Sequence, residues 1–411
     1  MRQISFVFLW LLILIMPWEE MFAIPGLATM AKILGVFAFL FGLTSVVISG
    51  RVKFPLALVW LALFIGWCLA STQWALDPEA PLERAQTYVL LLTFVWLVCQ
   101  LADNPKRLKS LMRAFVLGMV ILLANMYLGY IGAGVPINSG DDEVRYTAVS
   151  ANHNDLAIFC CLGILFAFYL ITRREKTGFE LPNWFYWGYI VAASLAIPLT
   201  GSRAGVVSGG IAGLVLLGRL RKVDWSIRLG FVVAVVFVAI LVPRLVDRST
   251  LDRIGEGTSS DTYKLRTNAW EYGLKAWAET PLVGVGAGCY RNTMVKQGQR
   301  KMVAHNAFVS VLVETGLVGF TLYFLFWTIV IRRAMLLPKA DKYFWLGLLA
   351  SFLPALLTGS TEYQKVWWFL GALVLCQTPQ PSAADAKKRW IAPSLDRGPG
   401  LPLLSRRSHQ P

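Results

Sequence analysis

Residues 152–172 read NHNDLAIFCCLGILFAFYLIT, and after Asp155 no charged side chain occurs before Arg173. A helix needs roughly 20 apolar residues to cross a bilayer core, whereas a buried strand needs only about 4–8, so the length of this run makes it a membrane-spanning helix. Working outward, comparable runs occupy 3–18, 26–49, 54–74, 84–101, 110–131, 184–200, 204–218, 228–243, 304–331, 343–358 and 361–377. The expected fold is therefore all-α, a polytopic integral membrane protein of about 12 transmembrane helices. The runs 3–18, 204–218, 228–243 and 343–358 are short for spans. The first follows Arg2 like a signal peptide, but no small-residue cleavage site follows it, and Pro17-Trp18-Glu19-Glu20 reads as the end of a retained anchor.

Composition agrees: 56% of the 411 residues are hydrophobic and 15% charged, against about 25% charged in an ordinary soluble domain. A net charge of +15 in a soluble chain would suggest a polyanion partner. Its distribution gives it another meaning. With the N-terminus cytoplasmic, the segments on that side hold 23 of the 39 basic residues, the tail after 378 included, while the short loops opposite hold only Arg84, Arg145, Arg203 and Lys365. That asymmetry orients both termini to the cytoplasm and argues against nucleic acid.

Four regions follow: helices 1–9 over 1–243, a loop over 244–304, helices 10–12 over 305–377, and a Pro-, Ser- and Lys/Arg-rich tail over 378–411 that reads as disordered. The loop between helices 9 and 10 is long and extracytoplasmic, and a connection of that length is uncommon unless it carries function. Within it, Thr262–Glu279 spaces Leu265, Ala269, Trp270, Leu274 and Trp277 as an amphipathic helix on the membrane surface. Pro281 ends that helix, and Gly284, Gly286 and Gly288 predict a flexible or tightly turned approach to the next span. Six scattered cysteines, three histidines and no CxxC, HxxxH or HExxH spacing make a disulfide framework or a protein-ligated metal centre unexpected. No cofactor is expected.

A basic residue among apolar ones is a functional candidate by default. Arg203 stands in the turn Thr200-Gly201-Ser202-Arg203-Ala204-Gly205, with no acid nearby in sequence. It either snorkels to headgroups or binds an anion through its fork of donors. Arg266 lies on the surface helix, and Arg291, Lys296, Arg300 and Lys301 extend the basic surface toward the next span. His305-Asn306 opens the tenth span, where the positive end of the helix dipole favours a neutral imidazole able to accept a proton. Gly316 and Gly319 in that span are expected to allow close helix approach. His153 has the same local setting and is the rival base. Two arginines and a neutral base on one membrane face suit transfer of a diphosphate-linked group to a hydroxyl. The arginines would hold the departing diphosphate while the histidine takes the acceptor's proton. Soluble nucleotides are scarce beyond a bacterial plasma membrane, so a lipid-borne donor is the natural candidate.

Three motifs in this order resemble the O-antigen ligase family and its polymerase and O-oligosaccharyltransferase relatives: Ser202-Arg203-Ala204-Gly205, Arg266 with Trp270 followed by Pro281-Leu282-Val283-Gly284-Val285-Gly286, and His305-Asn306-x9-Gly316-x2-Gly319. The resemblance implies a metal-independent, inverting glycosyltransferase of the bacterial inner membrane with a periplasmic site. Its donor would be an undecaprenyl-diphosphate-linked glycan, and its acceptor a hydroxyl of a glycan, of lipid A-core or of a protein. On the family pattern His305 is the base, Arg203 and Arg266 contact the diphosphate, Arg291 and Asn306 add to substrate binding, and His153 falls back to a structural or acceptor-side role. The loop near 132–151 is short, which leans toward a lipopolysaccharide ligase rather than an O-antigen or exopolysaccharide polymerase. Phe320-Thr321 stands where ligases often carry paired threonines. A secondary transporter with 12 helices is the alternative of another class, but the intramembrane runs hold almost no charge and no symmetry between halves is visible.

Overall fold

A computed structural model describes residues 1–22, 30–132, 146–148, 152–174, 180–221, 223–246, 248, 250–251 and 261–377. Most of the 132–151 loop, residues 252–260 of the long loop and the 378–411 tail lie outside the described residues. The helices in chain order are α1 (Arg2–Ile15), α2 (Met30–Ser49), α3 (Leu56–Ala70), α4 (Glu79–Leu101), α5 (Pro105–Tyr130), α6 (His153–Thr172), α7 (Asn183–Leu199), α8 (Arg203–Leu220) and α9 (Trp225–Leu245). They continue as α10 (Asp261–Glu279), α11 (Tyr290–Lys296), α12 (Ala307–Met335), α13 (Lys339–Ser351), α14 (Leu353–Thr358) and α15 (Lys365–Leu375).

Nine of the described helical segments are long and apolar enough to cross a membrane. The other three expected spans fall on shorter helices: α7 has 17 residues, α15 has 11, and the run 343–358 is divided at Phe352 between α13 and α14. The exterior is apolar in the way a bilayer requires. On α9 only Ala234 is buried, while Val232, Val233, Val235, Val236, Phe237 and Ile240 are exposed, a face no soluble monomer would present to water.

In lipid the hydrophobic effect does not drive helices together, so packing and interhelical hydrogen bonds must. The α6 helix is enclosed by α5, α7 and α8, and aromatic edges from Phe115, Phe166 and Phe369 meet beside it. Ser5 Oγ donates to the Ala38 carbonyl at 2.7 Å, and Tyr127 OH to that of Ala192 at 2.6 Å.

The loops sort to two ends of the bundle. At one, Arg2 pairs with Asp103 at 2.6 Å, and Asp341 takes both Arg173 at 2.6 Å and Arg219 at 3.0 Å. At the other, Lys365 meets both carboxylate oxygens of Glu19, at 2.7 and 2.5 Å. Glu19 and Lys365 lie on the wall of the cavity described below.

Candidate functional site

α12 is two helices joined at Gly316, which adopts φ 64° and ψ −172°. Gly316 was expected to let helices approach closely; instead it breaks the helix. A break leaves carbonyls of the first half and N–H groups of the second without partners, and in a membrane these must be satisfied internally. The segment Pro281–Gly286 does this. The N–H groups of Val285 and Gly286 donate to the carbonyls of Val313 and Glu314, each at 3.0 Å, while those of Leu317 and Val318 donate to Pro281 and Leu282 at 2.9 and 3.2 Å. The approach is tight: a Cβ on Gly284 would strike the backbone of Glu314 and Gly316. The glycines read as a flexible or tight approach are thus a hydrogen-bonded join. Gly319 does accommodate a neighbour, the ring of Trp67, whose Nε1 donates to the Thr315 carbonyl at 2.8 Å.

That join fixes the strap that carries His305. α10 forms where the apolar spacing predicts it, and it packs against α12 and α11 with Ala269 and Ala276 buried. Leu265 and Leu274 remain exposed. Trp270 Nε1 on α10 donates to the Ala304 carbonyl at 2.6 Å, and Tyr290 OH on α11 to that of Ala269 at 2.6 Å. Asn306, rather than His305, caps α12: its Oδ1 accepts from the N–H groups of Phe308 and Val309 at 3.0 and 3.2 Å. His305 precedes the cap in the left-handed region, at φ 49°.

His305 and Arg266 line one cavity of about 550 Å³. Its polar wall includes Asn152, Asn154, Asp155, Gln364 and Lys365; its apolar wall includes Met16, Leu122, Ile158, Phe159 and Val366. Two polar groups in it are already engaged, Glu19 by Lys365 and Asp155 by the Gln364 amide at 2.9 Å. Burial holds the His305 pKa below its ordinary value, and the positive charges of Arg266 and then Arg291 add to the effect. The neutral imidazole expected from the helix dipole is thus favoured by burial and two guanidiniums.

Of the two candidate histidines, His305 lines this cavity, whereas His153 does not, although its neighbours Asn152 and Asn154 do. Arg203 begins α8 beside Ser202, whose Oγ accepts from Gly205 N–H at 3.1 Å and donates to Asn154 Oδ1 at 2.7 Å. The Ser-Arg-Ala-Gly turn is therefore tied to the cavity wall, though Arg203 is not itself one of the lining residues.

Arg291 faces a second cavity of about 280 Å³, which shares Val303, Ser360 and Tyr363 with the first. It contains three side chains that the sequence reading passed over: Arg84, Glu314 and Glu362. Arg84 was read as a loop charge and Glu314 was lost in an apolar run. The structure puts Arg84 within α4, 3.8 Å from Glu314 and 4.4 Å above the Tyr363 ring.

Residues 188–324, from α7 into α12, match the family model described as O-antigen ligase. This stretch, about a third of the chain, is similar to an O-antigen ligase domain. The matched region contains Arg203, Arg266, Arg291, His305 and Asn306. Over 327 residues the chain is 24% identical to the exopolysaccharide production protein ExoQ of Rhizobium meliloti (strain 1021), covering 72% of this chain and 73% of that protein. Together these findings make the chain, with nine candidate membrane-crossing helices among its described residues, similar to O-antigen ligase and exopolysaccharide production proteins.

The guanidiniums that help depress the His305 pKa carry a testable pH signature. Were His305 to act as a base it would have to be neutral, and activity would fall as pH drops through its pKa. Arg266→Gln removes a positive charge that depresses that pKa, so the acidic limb of the residual kcat/KM profile moves to higher pH, whereas Arg266→Lys leaves it in place. An unmoved limb in Arg266→Gln would separate the titration from His305.

Proposed function

We propose that the 550 Å³ cavity binds an undecaprenyl-diphosphate-linked glycan and that the chain transfers this glycan to an acceptor hydroxyl at the periplasmic face of the bacterial inner membrane. The observation that carries the reading is the meeting of Arg266 and His305, well apart in the chain, on one cavity whose other wall is apolar. A diphosphate on an isoprenoid chain has the matching character, an anionic head joined to an apolar tail.

In the reaction, the acceptor oxygen forms a bond to the anomeric carbon as the bond from that carbon to the diphosphate oxygen breaks. The electron pair leaves with undecaprenyl diphosphate, whose growing charge Arg266 stabilises, while Arg203, which does not line the cavity, would assist from the turn that Ser202 ties to Asn154. His305 accepts the acceptor's proton. A single displacement of this kind inverts the anomeric centre, and the residues that perform it require no metal. The relative's name, an exopolysaccharide production protein, favours a growing polysaccharide as acceptor over lipid A-core.

Purified protein in liposomes with lipid-linked glycan from host membranes is expected to release undecaprenyl diphosphate and form a transferred or lengthened glycan, with excess chelator present. Loss of turnover on chelation, restored by a divalent ion, would replace this mechanism with a metal-assisted one. Movement of glycan across the bilayer without release of diphosphate would support the transporter.

A further inference from the structure

The second cavity differs in chemistry from the first. Glu362, in the turn between α14 and α15, is 2% exposed. Its Oε1 accepts from Ser310 Oγ at 2.7 Å, while its Oε2 is buried with no hydrogen-bond partner among the described residues. An unsatisfied buried carboxyl oxygen on a cavity wall is costly unless something fills the position. Its neighbours are held firmly. Glu314 accepts the backbone N–H groups of Gly288 at 2.9 Å and Tyr290 at 3.4 Å and faces Arg84, so the α11 approach, α12 and α4 converge on one cluster. A carboxylate in this position accepts hydrogen bonds from hydroxyl groups that enter the cavity.

A phosphate placed here would meet Glu83, Glu314 and Glu362 against only Arg84 and Arg291, with Arg84 already facing Glu314. An uncharged sugar suits it better: its hydroxyls donate to carboxyl oxygens and accept from guanidinium, and a space of about 280 Å³ admits a sugar ring. The two cavities share Val303, and the next residues divide between them: Ala304 lines the second and His305 the first. We infer that this second cavity is the acceptor subsite, that it takes an uncharged hydroxyl-bearing sugar, and that the Glu362 carboxyl binds one of its hydroxyls. The inference rests on the glycan-transfer reading and narrows its acceptor to a sugar without phosphate or carboxylate at the accepting end.

The test is binding, which needs no turnover. Methyl glucoside, methyl galactoside and methyl mannoside, with glucose 6-phosphate as the anionic member, are titrated into the purified full chain and followed by saturation-transfer NMR. At least one neutral glycoside is expected to bind more tightly than glucose 6-phosphate. Glu362→Gln is expected to weaken it by about 10- to 100-fold, the value of a hydrogen bond to a charged group, while binding of undecaprenyl diphosphate is unchanged. Ala80→Phe, a lining position outside the side-chain hydrogen-bond network, should weaken it sterically, so misfolding of one variant leaves the other. No neutral glycoside bound, glucose 6-phosphate bound as tightly as the best of them, or equal binding by wild type and both variants overturns the assignment. A protein that binds neutral glycosides through Glu362 yet transfers no glycan in liposomes would keep the subsite and refute the reaction.

Discussion

If the proposed reaction holds, His305→Ala is expected to insert and fold, accumulate lipid-linked glycan, and lose nearly all transferred product. Loss of a general base costs about 10²–10⁴ in rate, and the cavity's carboxylates, Glu19 and Asp155, are already engaged by Lys365 and Gln364. The expectation of normal folding rests on the cap: the bonds that start α12 come from Asn306, and the strap is anchored through Trp270 to the Ala304 carbonyl, so the imidazole is not required for either. Backbone strain is a separate matter, because His305 sits at φ 49°. Asparagine tolerates that region better than alanine, so His305→Asn should be at least as stable as His305→Ala and equally inactive. Thermal unfolding of both variants beside a transfer assay separates the two contributions. Product at the wild-type rate from either variant would remove His305 from the mechanism.

Gly316→Ala is expected to lose about 100-fold or more of the activity and several degrees of thermal stability. Two costs combine. The backbone conformation, φ 64° with ψ −172°, belongs to glycine and costs any other residue about 1–3 kcal/mol. The added Cβ would also strike the Leu282 carbonyl and the Gly284 nitrogen, neither of which can rotate away as a side chain would. Relief requires the 281–286 segment to withdraw, which breaks the bonds to Val313 and Glu314 and shifts the strap bearing His305; misplacement of a catalytic group by about 1 Å can cost 10²-fold. Gly210→Ala on α8 provides the contrast, since no atom lies within 4 Å of its added Cβ, and it should be neutral or slightly stabilising. Equal effects at the two positions would mean that the break in α12 does not support the site.

The spans were legible because insertion depends on composition: a charge-free run such as 156–172 reads the same in any tertiary context. His305 and Arg266 were legible through local motifs. The break at Gly316 was not, because a glycine in an apolar run is equally suited to close helix packing, and only the partner segment 281–286 decides between the uses. The acid cluster was hidden for a related reason. Glu314 is one carboxylate in an apolar run and Glu362 lies in a loop sequence, Ser360-Thr361-Glu362-Tyr363, that reads as an ordinary surface turn. Their burial is created by α4 and the 288–290 segment, more than 200 and about 70 residues away from Glu362 in the chain. The divided α13–α14 run was marked only by its shortness.

The join between the loop and α12 is made by backbone atoms, so it imposes little on the letters of the sequence. Side chains at Leu282, Val283 and Val285 can change while the bonds from Val285 and Gly286 and to Pro281 and Leu282 persist; hard contact with backbone constrains Gly284 and Gly316. Over evolutionary time such a connection can outlast most of the residues that build it. Two such chains can drift far apart in identity and still present the same strap at the same depth, and the trace they keep in common is a pair of glycines about thirty positions apart.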